Sequence, residues 1–219
     1  MKWLDDWLSP QKHDKVVETT LSSLNPTLEV VHVDGQLVLN GGEGNYSFGA
    51  LHWVFDDIFY KLDFRKRKFA NILVLGLGAG SVVDLLRNKY RQDAPIVGVE
   101  HDPEVIRLGK QYFGLGDYEN LEIVETDAAQ FVTEKKASFD LLIVDLYNGL
   151  DVPPQFEMEP FVAQIASILA PTGLLIFNKV VVSKAHKTQF NKLLKLFGEY
   201  GNTSTLTLQV LNKVVILTN

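Results

Sequence analysis

One stretch of this chain constrains its fold more than any other. Asn71-Ile-Leu-Val-Leu is an apolar run too short for a helix, and it breaks into Gly76-Leu-Gly-Ala-Gly-Ser81. A second run, Ile96-Val-Gly-Val, follows and ends on Glu100. The pattern predicts a buried strand, a glycine turn, a helix and a second strand ending in an acid. Glycine lets the backbone turn sharply and approach a ligand closely, which a side chain would block. The turn also opens a helix, whose free N–H groups favour negative charge. Such a unit suits an adenosine-containing cofactor.

From residue 71 the periodicity alternates between strand and helix. Candidate strands are 71–75, 95–100, 121–125, 139–145, 173–178, 205–210 and 213–218. Candidate helices fall between them at 80–90, 103–112, 128–135, 157–170 and 185–199. Asp102-Pro103 and Ala170-Pro-Thr-Gly173 punctuate the helices. This order predicts a doubly wound, Rossmann-like, mostly parallel seven-stranded sheet. Its last two strands, joined by Leu211-Asn212, predict an antiparallel edge hairpin. Ahead of it, Leu28–Val33 and Gln36–Leu39 flank Asp34-Gly35, a hairpin signal, and Lys15–Leu21 could add a third strand. The expected organisation is a small N-terminal β-hairpin subdomain over 1–45 and a cofactor-binding domain over 46–219. Phe48, Leu51, Val54, Phe55, Ile58, Phe59 and Leu62 have helical spacing. So do Trp3, Leu4, Trp7 and Leu8, which predict a short docked amphipathic segment.

Composition narrows the function classes. The net charge of −6 argues against broad nucleic-acid binding. The one dense basic run, Arg65-Lys-Arg-Lys68, reads as a solvated loop. The absence of cysteine excludes disulfides, thiolate metal sites and cysteine nucleophiles. The five histidines are too scattered to argue for a metal. No apolar run reaches the roughly 18 residues of a membrane span. The acidic start without an apolar core is unlike a signal peptide, so the expectation is a cytoplasmic protein.

In doubly wound sheets ligands sit beyond the carboxyl ends of the strands. At the first end, Gly76, Gly78 and Gly80 alternate, and Ser81 stands where a dinucleotide fingerprint needs its third glycine. At the second end, Glu100 could accept both hydroxyl hydrogens of a ribose, with His101 beside it. Asp102, before a proline, reads as a helix N-cap. The third end gives Asp127 and Ala128, suited either to an adenine amino group or to capping the next helix. The fourth gives Asp145, partly desolvated after four apolar residues and able to orient a nucleophile or take its proton. Tyr147 and Asn148 follow it.

With these strand ends the chain resembles the class I S-adenosylmethionine-dependent methyltransferases. Over residues 28–180 it resembles more narrowly the spermidine synthase family of aminopropyltransferases, through the Asp34-Gly35 hairpin, Glu43-Gly-Asn-Tyr46 and the later strand ends. The resemblance implies that Glu100 holds the ribose, Asp127 the adenine, and that Asp145 is the base for an attacking amine. The family's G-G-G-D-G-G motif has Ala79 here in place of its acid. Its D-S-S/T-D-P loop becomes Asp145-Leu-Tyr-Asn-Gly149, and Phe48 stands where a glutamate is usual. Three carboxylates that would face the cationic cofactor and a dicationic amine are therefore absent.

The leading expectation is methyl transfer from S-adenosylmethionine to a small-molecule acceptor, with Asp145, Tyr46 and Tyr147 positioning it. The alternatives are aminopropyl transfer from decarboxylated S-adenosylmethionine, a nucleoside-binding protein without catalysis, and a nicotinamide oxidoreductase. The family's β-domains often pair subunits, which implies a possible homodimer. Lys179 reads as solvated, and Phe48 and Trp53 as packing residues.

Overall fold

The computed structural model describes residues 15–42, 44–134, 137–208 and 211–219. The amphipathic segment at 1–12 and Glu43 lie outside them. Four strands come first: β1 (Lys15–Thr20), β2 (Leu28–Val33), β3 (Gln36–Gly41) and β4 (Gly44–Ser47). They form one antiparallel sheet in the order β1-β2-β3-β4. The turn between β2 and β3 places Asp34 and Gly35 at φ 49° and 81°, as a two-residue hairpin turn of this twist requires. The sequence expectation stopped at Leu39. In the structure β4 continues the sheet across the expected 45/46 boundary.

Helix α1 (Gly49–Lys61) leads into the large sheet, which is built from β5 (Ile72–Leu75), β6 (Ile96–Glu100), β7 (Leu121–Glu125), β8 (Phe139–Val144), β9 (Leu169–Val180), β10 (Asn202–Thr207) and β11 (Asn212–Thr218). The order is β10-β11-β9-β8-β5-β6-β7. Strands β9, β8, β5, β6 and β7 pair in parallel, and β10 and β11 run antiparallel at one edge. This is the doubly wound arrangement expected. The connecting helices are α2 (Ser81–Asp84, widening to a π turn over Leu85–Lys89), α3 (Pro103–Tyr112), α4 (Ala128–Glu134), α5 (Glu159–Ser167) and α6 (Lys184–Phe197).

Strand alternation divides the core. Leu73, Leu75, Leu142, Val144, Leu175 and Phe177 face α4, α5 and α6. Ile72, Val74, Leu141, Ile143, Leu174 and Ile176 face α1 and α2. A third cluster joins Leu28, Val30 and Leu39 of the small sheet to Val105 and Leu108 of α3. Two expectations are corrected. Ala170–Gly173 does not separate helix from strand, because β9 begins at Leu169 and runs through it with a register shift against β8. Trp53 is not packed; it points outward from α1, 72% exposed. Among the described residues no helix is long and apolar enough to cross a membrane.

Candidate active site

Strands β5 and β8 are adjacent and their connections leave toward opposite faces, so a crevice opens beyond their carboxyl ends. The turn after β5 is held tightly there. The N–H groups of Gly76 and Leu77 both donate to the carbonyl of Val99, and Asp145 N–H donates to the carbonyl of Leu75. Gly76 has φ 86°, and a Cβ on it would lie 2.1 Å from the carbonyl oxygen of Asp145. Only glycine fits. Gly78 borders the crevice, whereas Gly80 packs on Leu115, which a Cβ would meet at 2.6 Å. Of the three glycines, Gly80 thus serves packing and not the cavity wall.

The resulting cavity holds about 420 Å³, within the range of small-molecule sites. It brings together Tyr46, Gly76, Gly78, Glu100, His101, Asp127, Ala128, Asp145, Tyr147 and Asn148. Four carboxylates line it, Glu100, Asp102, Asp127 and Asp145, and among the described residues no lysine or arginine does. An anionic ligand finds no counter-ion in this wall, and a cation is favoured.

Each carboxylate has a distinct state. Glu100 is 7% exposed; Oε2 accepts from Gly78 N–H at 2.8 Å, and Oε1 from His101 and Asp102 N–H at 2.9 and 3.0 Å. Burial raises its pKa, and these three donors oppose the rise. A carboxylate has about four acceptor positions, so capacity remains for a ligand hydroxyl. Asp102 caps α3 by accepting from Glu104 N–H at 2.9 Å. Its other oxygen accepts from Ser22 Oγ and Asn25 Nδ2, which ties the β1–β2 loop to the large domain. Asp127 accepts from Ala129 and Gln130 N–H through Oδ1 at 2.8 and 3.2 Å, so it caps α4 from the cavity wall. His101 sits exposed at the rim.

Asp145 is buried and has one hydrogen-bond donor among the described residues. Burial pushes its carboxyl up to about 7, with Glu100 adding to the rise and a hydrogen bond from Asn178 opposing it. Asn178 Nδ2 donates to Asp145 Oδ1 at 2.9 Å, and Asn212 Nδ2 donates to Asn178 Oδ1 at 2.9 Å. Both asparagines are buried. Tyr46 and Tyr147 border the same space, and burial raises both phenols above their ordinary range. Ser47 Oγ accepts from Ala79 N–H at 3.2 Å and braces the glycine turn.

The sequence reasoning missed Ser47, Asn178 and Asn212. Asn178 carried a signal: it is a polar residue ending the apolar run Leu174-Leu-Ile-Phe177. Lys179, expected in solvent, is 2% exposed and pairs with Glu157 at 2.7 Å. This buried pair holds the turn at Pro154–Glu157, whose Gln155 and Phe156 border the cavity. Two of the three positions expected to miss an acid lie off the cavity. Ala79 is fully buried with Val105 and Leu108, and Phe48 stacks on Phe113 at 4.8 Å. Asn148 alone borders the cavity.

Residues 72–173 match a family model described as a methyltransferase domain. The chain is 32% identical over 130 residues to a polyamine aminopropyltransferase of Chromobacterium violaceum, covering 58% of this chain and 49% of that protein. It is 31% identical over 137 residues to an eEF1A lysine and N-terminal methyltransferase homolog of Drosophila melanogaster, covering 58% of this chain and 20% of that protein. The chain thus spans about half the length, or less, of these curated relatives. Among solved structures it is similar to spermidine synthase in complex with the transition state analogue AdoDATO, with a TM-score of 0.73 at 15% identity, covering 100% of this chain and 84% of that chain.

Proposed function

We propose that this chain, which has the class I S-adenosylmethionine-dependent methyltransferase fold in its spermidine synthase-like form, transfers a methyl group from S-adenosylmethionine to a small-molecule acceptor. One observation carries the reading: four carboxylates and no lysine or arginine line the described wall of the cavity at the strand ends. A sulfonium nucleoside is a cation of suitable size for such a space. Glu100 keeps acceptor capacity for a ribose hydroxyl, and Asp127 keeps one oxygen free of its cap for the adenine amino group. When bound, the sulfonium supplies an electrophilic carbon. The acceptor's nitrogen or oxygen bonds to that carbon, the carbon–sulfur bond breaks, and sulfur keeps the electron pair. Asp145 takes the acceptor's proton, for which a carboxyl near 7 is well matched. Tyr46 and Tyr147 border the acceptor, and most of the rate comes from alignment.

Aminopropyl transfer is the second reading, favoured by the likeness to a polyamine aminopropyltransferase. The distribution of acids opposes it. Asp102 is committed to Ser22, Asn25 and Glu104, so once Glu100 and Asp127 hold the nucleoside only Asp145 is left. A diamine would lack a charge-assisted bond at its far end, worth about 1.5–3 kcal/mol.

Calorimetric titration with S-adenosylmethionine, its decarboxylated form and S-adenosylhomocysteine tests the cofactor. Binding of the first and third below millimolar concentration is expected, with loss in Glu100→Ala and retention in Asp145→Asn. No binding of any of them defeats both readings. Formation of spermidine from putrescine and the decarboxylated cofactor at ordinary turnover replaces the first reading with the second.

A further inference from the structure

The wall behind Asp145 contains a feature that cofactor binding does not explain. Asn178 leaves the end of β9 and Asn212 the start of β11, and these strands pair antiparallel with Asn212 opposite Val180. Asn178 is 0% exposed and Asn212 2%. Two buried amides within a sheet are costly unless their hydrogen bonds are made. Here they make a single chain, Asn212 Nδ2 to Asn178 Oδ1 and Asn178 Nδ2 to Asp145 Oδ1, each 2.9 Å. The polarity of that chain is dictated by its end. An ionised carboxylate only accepts, so Asn178 must turn its NH2 toward Asp145. Its carbonyl then requires the NH2 of Asn212, and Asn212 Oδ1 is left over. That atom is buried and accepts no hydrogen bond among the described residues; the Tyr147 hydroxyl, beside the backbone of Val180, borders the same cavity.

An amide differs from most side chains in that a half-turn exchanges donor and acceptor within nearly the same outline. If both amides turn, a protonated Asp145 donates to Asn178 Oδ1, and Asn178 Nδ2 donates to Asn212 Oδ1. Apart from the exchanged amide nitrogens and oxygens, no heavy atom need leave its place. The outermost position then carries Asn212 Nδ2. A hydroxyl such as that of Tyr147 can answer either end, since it both donates and accepts.

We propose that Asn178 and Asn212 are positioning residues, a two-amide relay that offers Asp145 a donor when it is ionised and an acceptor when it is protonated. The relay lets a desolvated carboxyl accept a proton and release it without losing its hydrogen bond in either state. The inference rests on the reading of Asp145 as the group that takes the acceptor's proton. The titratable groups that act on Asp145 are Glu100 from β6, Tyr46 from β4 and Tyr147 from its own loop. None is a cation. Lys179, next to Asn178, is committed to Glu157. While Asp145 is ionised, Asn178 is thus the group that favours its charge against burial, and the bond from Asn212 supports that orientation of Asn178.

Carbon-13 spectra of the carboxyl groups, recorded from pH 5 to 9, test this without cofactor or acceptor. Asp145 is assigned by the resonance missing in Asp145→Asn. Asn178→Leu should raise its titration midpoint by at least one pH unit, a tenfold gain in proton affinity. Asn212→Leu touches no atom of Asp145, and should raise the midpoint by a smaller but measurable amount. An unchanged midpoint in Asn212→Leu overturns the relay, as does a wild-type midpoint near the ordinary value of 3.8. Should Asn178→Leu fail to fold, Asn178→Ser and Asn212→Leu carry the same comparison. Calorimetric cofactor binding is read separately, so loss of the relay and loss of the proposed activity are distinguishable.

Discussion

Replacing Asp145 by asparagine should make the protein more stable, and increasingly so as pH rises. Burial holds this carboxyl at about 7 in the folded chain, against 3.8 ordinarily. Below pH 3.8 it is protonated in both states and has no effect on the balance. Above that, the unfolded chain releases the proton while the folded one keeps it. The folded state then binds more protons, so stability falls with rising pH until about 7 and levels off. At about 1.36 kcal/mol per pH unit the total loss is about 4 kcal/mol. Asparagine keeps the outline and the bond from Asn178 but has no proton to lose. The variant should therefore exceed the wild type by about 1.5 kcal/mol at pH 5 and about 4 kcal/mol at pH 8. The second figure corresponds to about 8–16 °C in melting temperature for a chain of this size. Urea unfolding of both proteins from pH 5 to 8.5 measures the difference directly, and other titrating groups cancel in it. A difference that is the same at pH 5 and pH 8 would show that Asp145 ionises normally, and the argument for it as a neutral-pH base would go with it.

Other outcomes follow from the same geometry. Affinity for S-adenosylmethionine should change by about twofold or less from pH 8 to pH 6, in the wild type as in Asp145→Asn, because Glu100 and Asp127 hold the nucleoside while Asp145, the group held near 7, faces the acceptor; a tenfold loss in calorimetry confined to the wild type would make Asp145 a cofactor contact instead. Gly76→Ala drives a methyl group to 2.1 Å from a backbone carbonyl at φ 86°, and should cost more than about 3 kcal/mol in denaturant unfolding or prevent folding outright. Asp102→Ala removes the α3 cap and the tie to Ser22 and Asn25. It should cost about 2–4 kcal/mol and leave the β1–β2 loop open to proteolysis before the large domain unfolds.

The large sheet was legible because its signal is local. Runs such as Ile72–Leu75 and Leu141–Val144 are apolar on both faces, and turn residues separate them from helices of ordinary length. The strand-end acids were legible for the same reason, since a carboxylate directly after a buried strand has few places to go. The rest depended on contacts remote in sequence. Nothing near Lys179 announces that Glu157 will bury it, and nothing near Asn212 announces Asn178, 34 residues earlier. Asn212 reads as a turn residue from its neighbours, and becomes a core amide only when β11 inserts between β9 and β10.

The same dependence on remote contacts changes the argument about charge. Three missing acids counted from the sequence suggested an acceptor end stripped of carboxylates. In the fold, Ala79 and Phe48 face hydrophobic partners away from the cavity, so their lack of charge says nothing about the ligand. What limits the acceptor is instead how the acids that are present are engaged. Asp102 is bound from both sides, Asp127 is half used by its helix, and Glu100 already accepts three backbone N–H groups. Asp145 is left with one donor and a proton affinity suited to exchange at neutral pH. A site with one such group can neutralise one charge or move one proton. That capacity matches transfer to a single nucleophile better than the holding of a dication. Restoring a carboxylate by Asn148→Asp, at the one departure that borders the cavity, should therefore tighten putrescine binding about tenfold or more by calorimetry. Unchanged affinity in that variant would mean that charge at this loop does not select the acceptor.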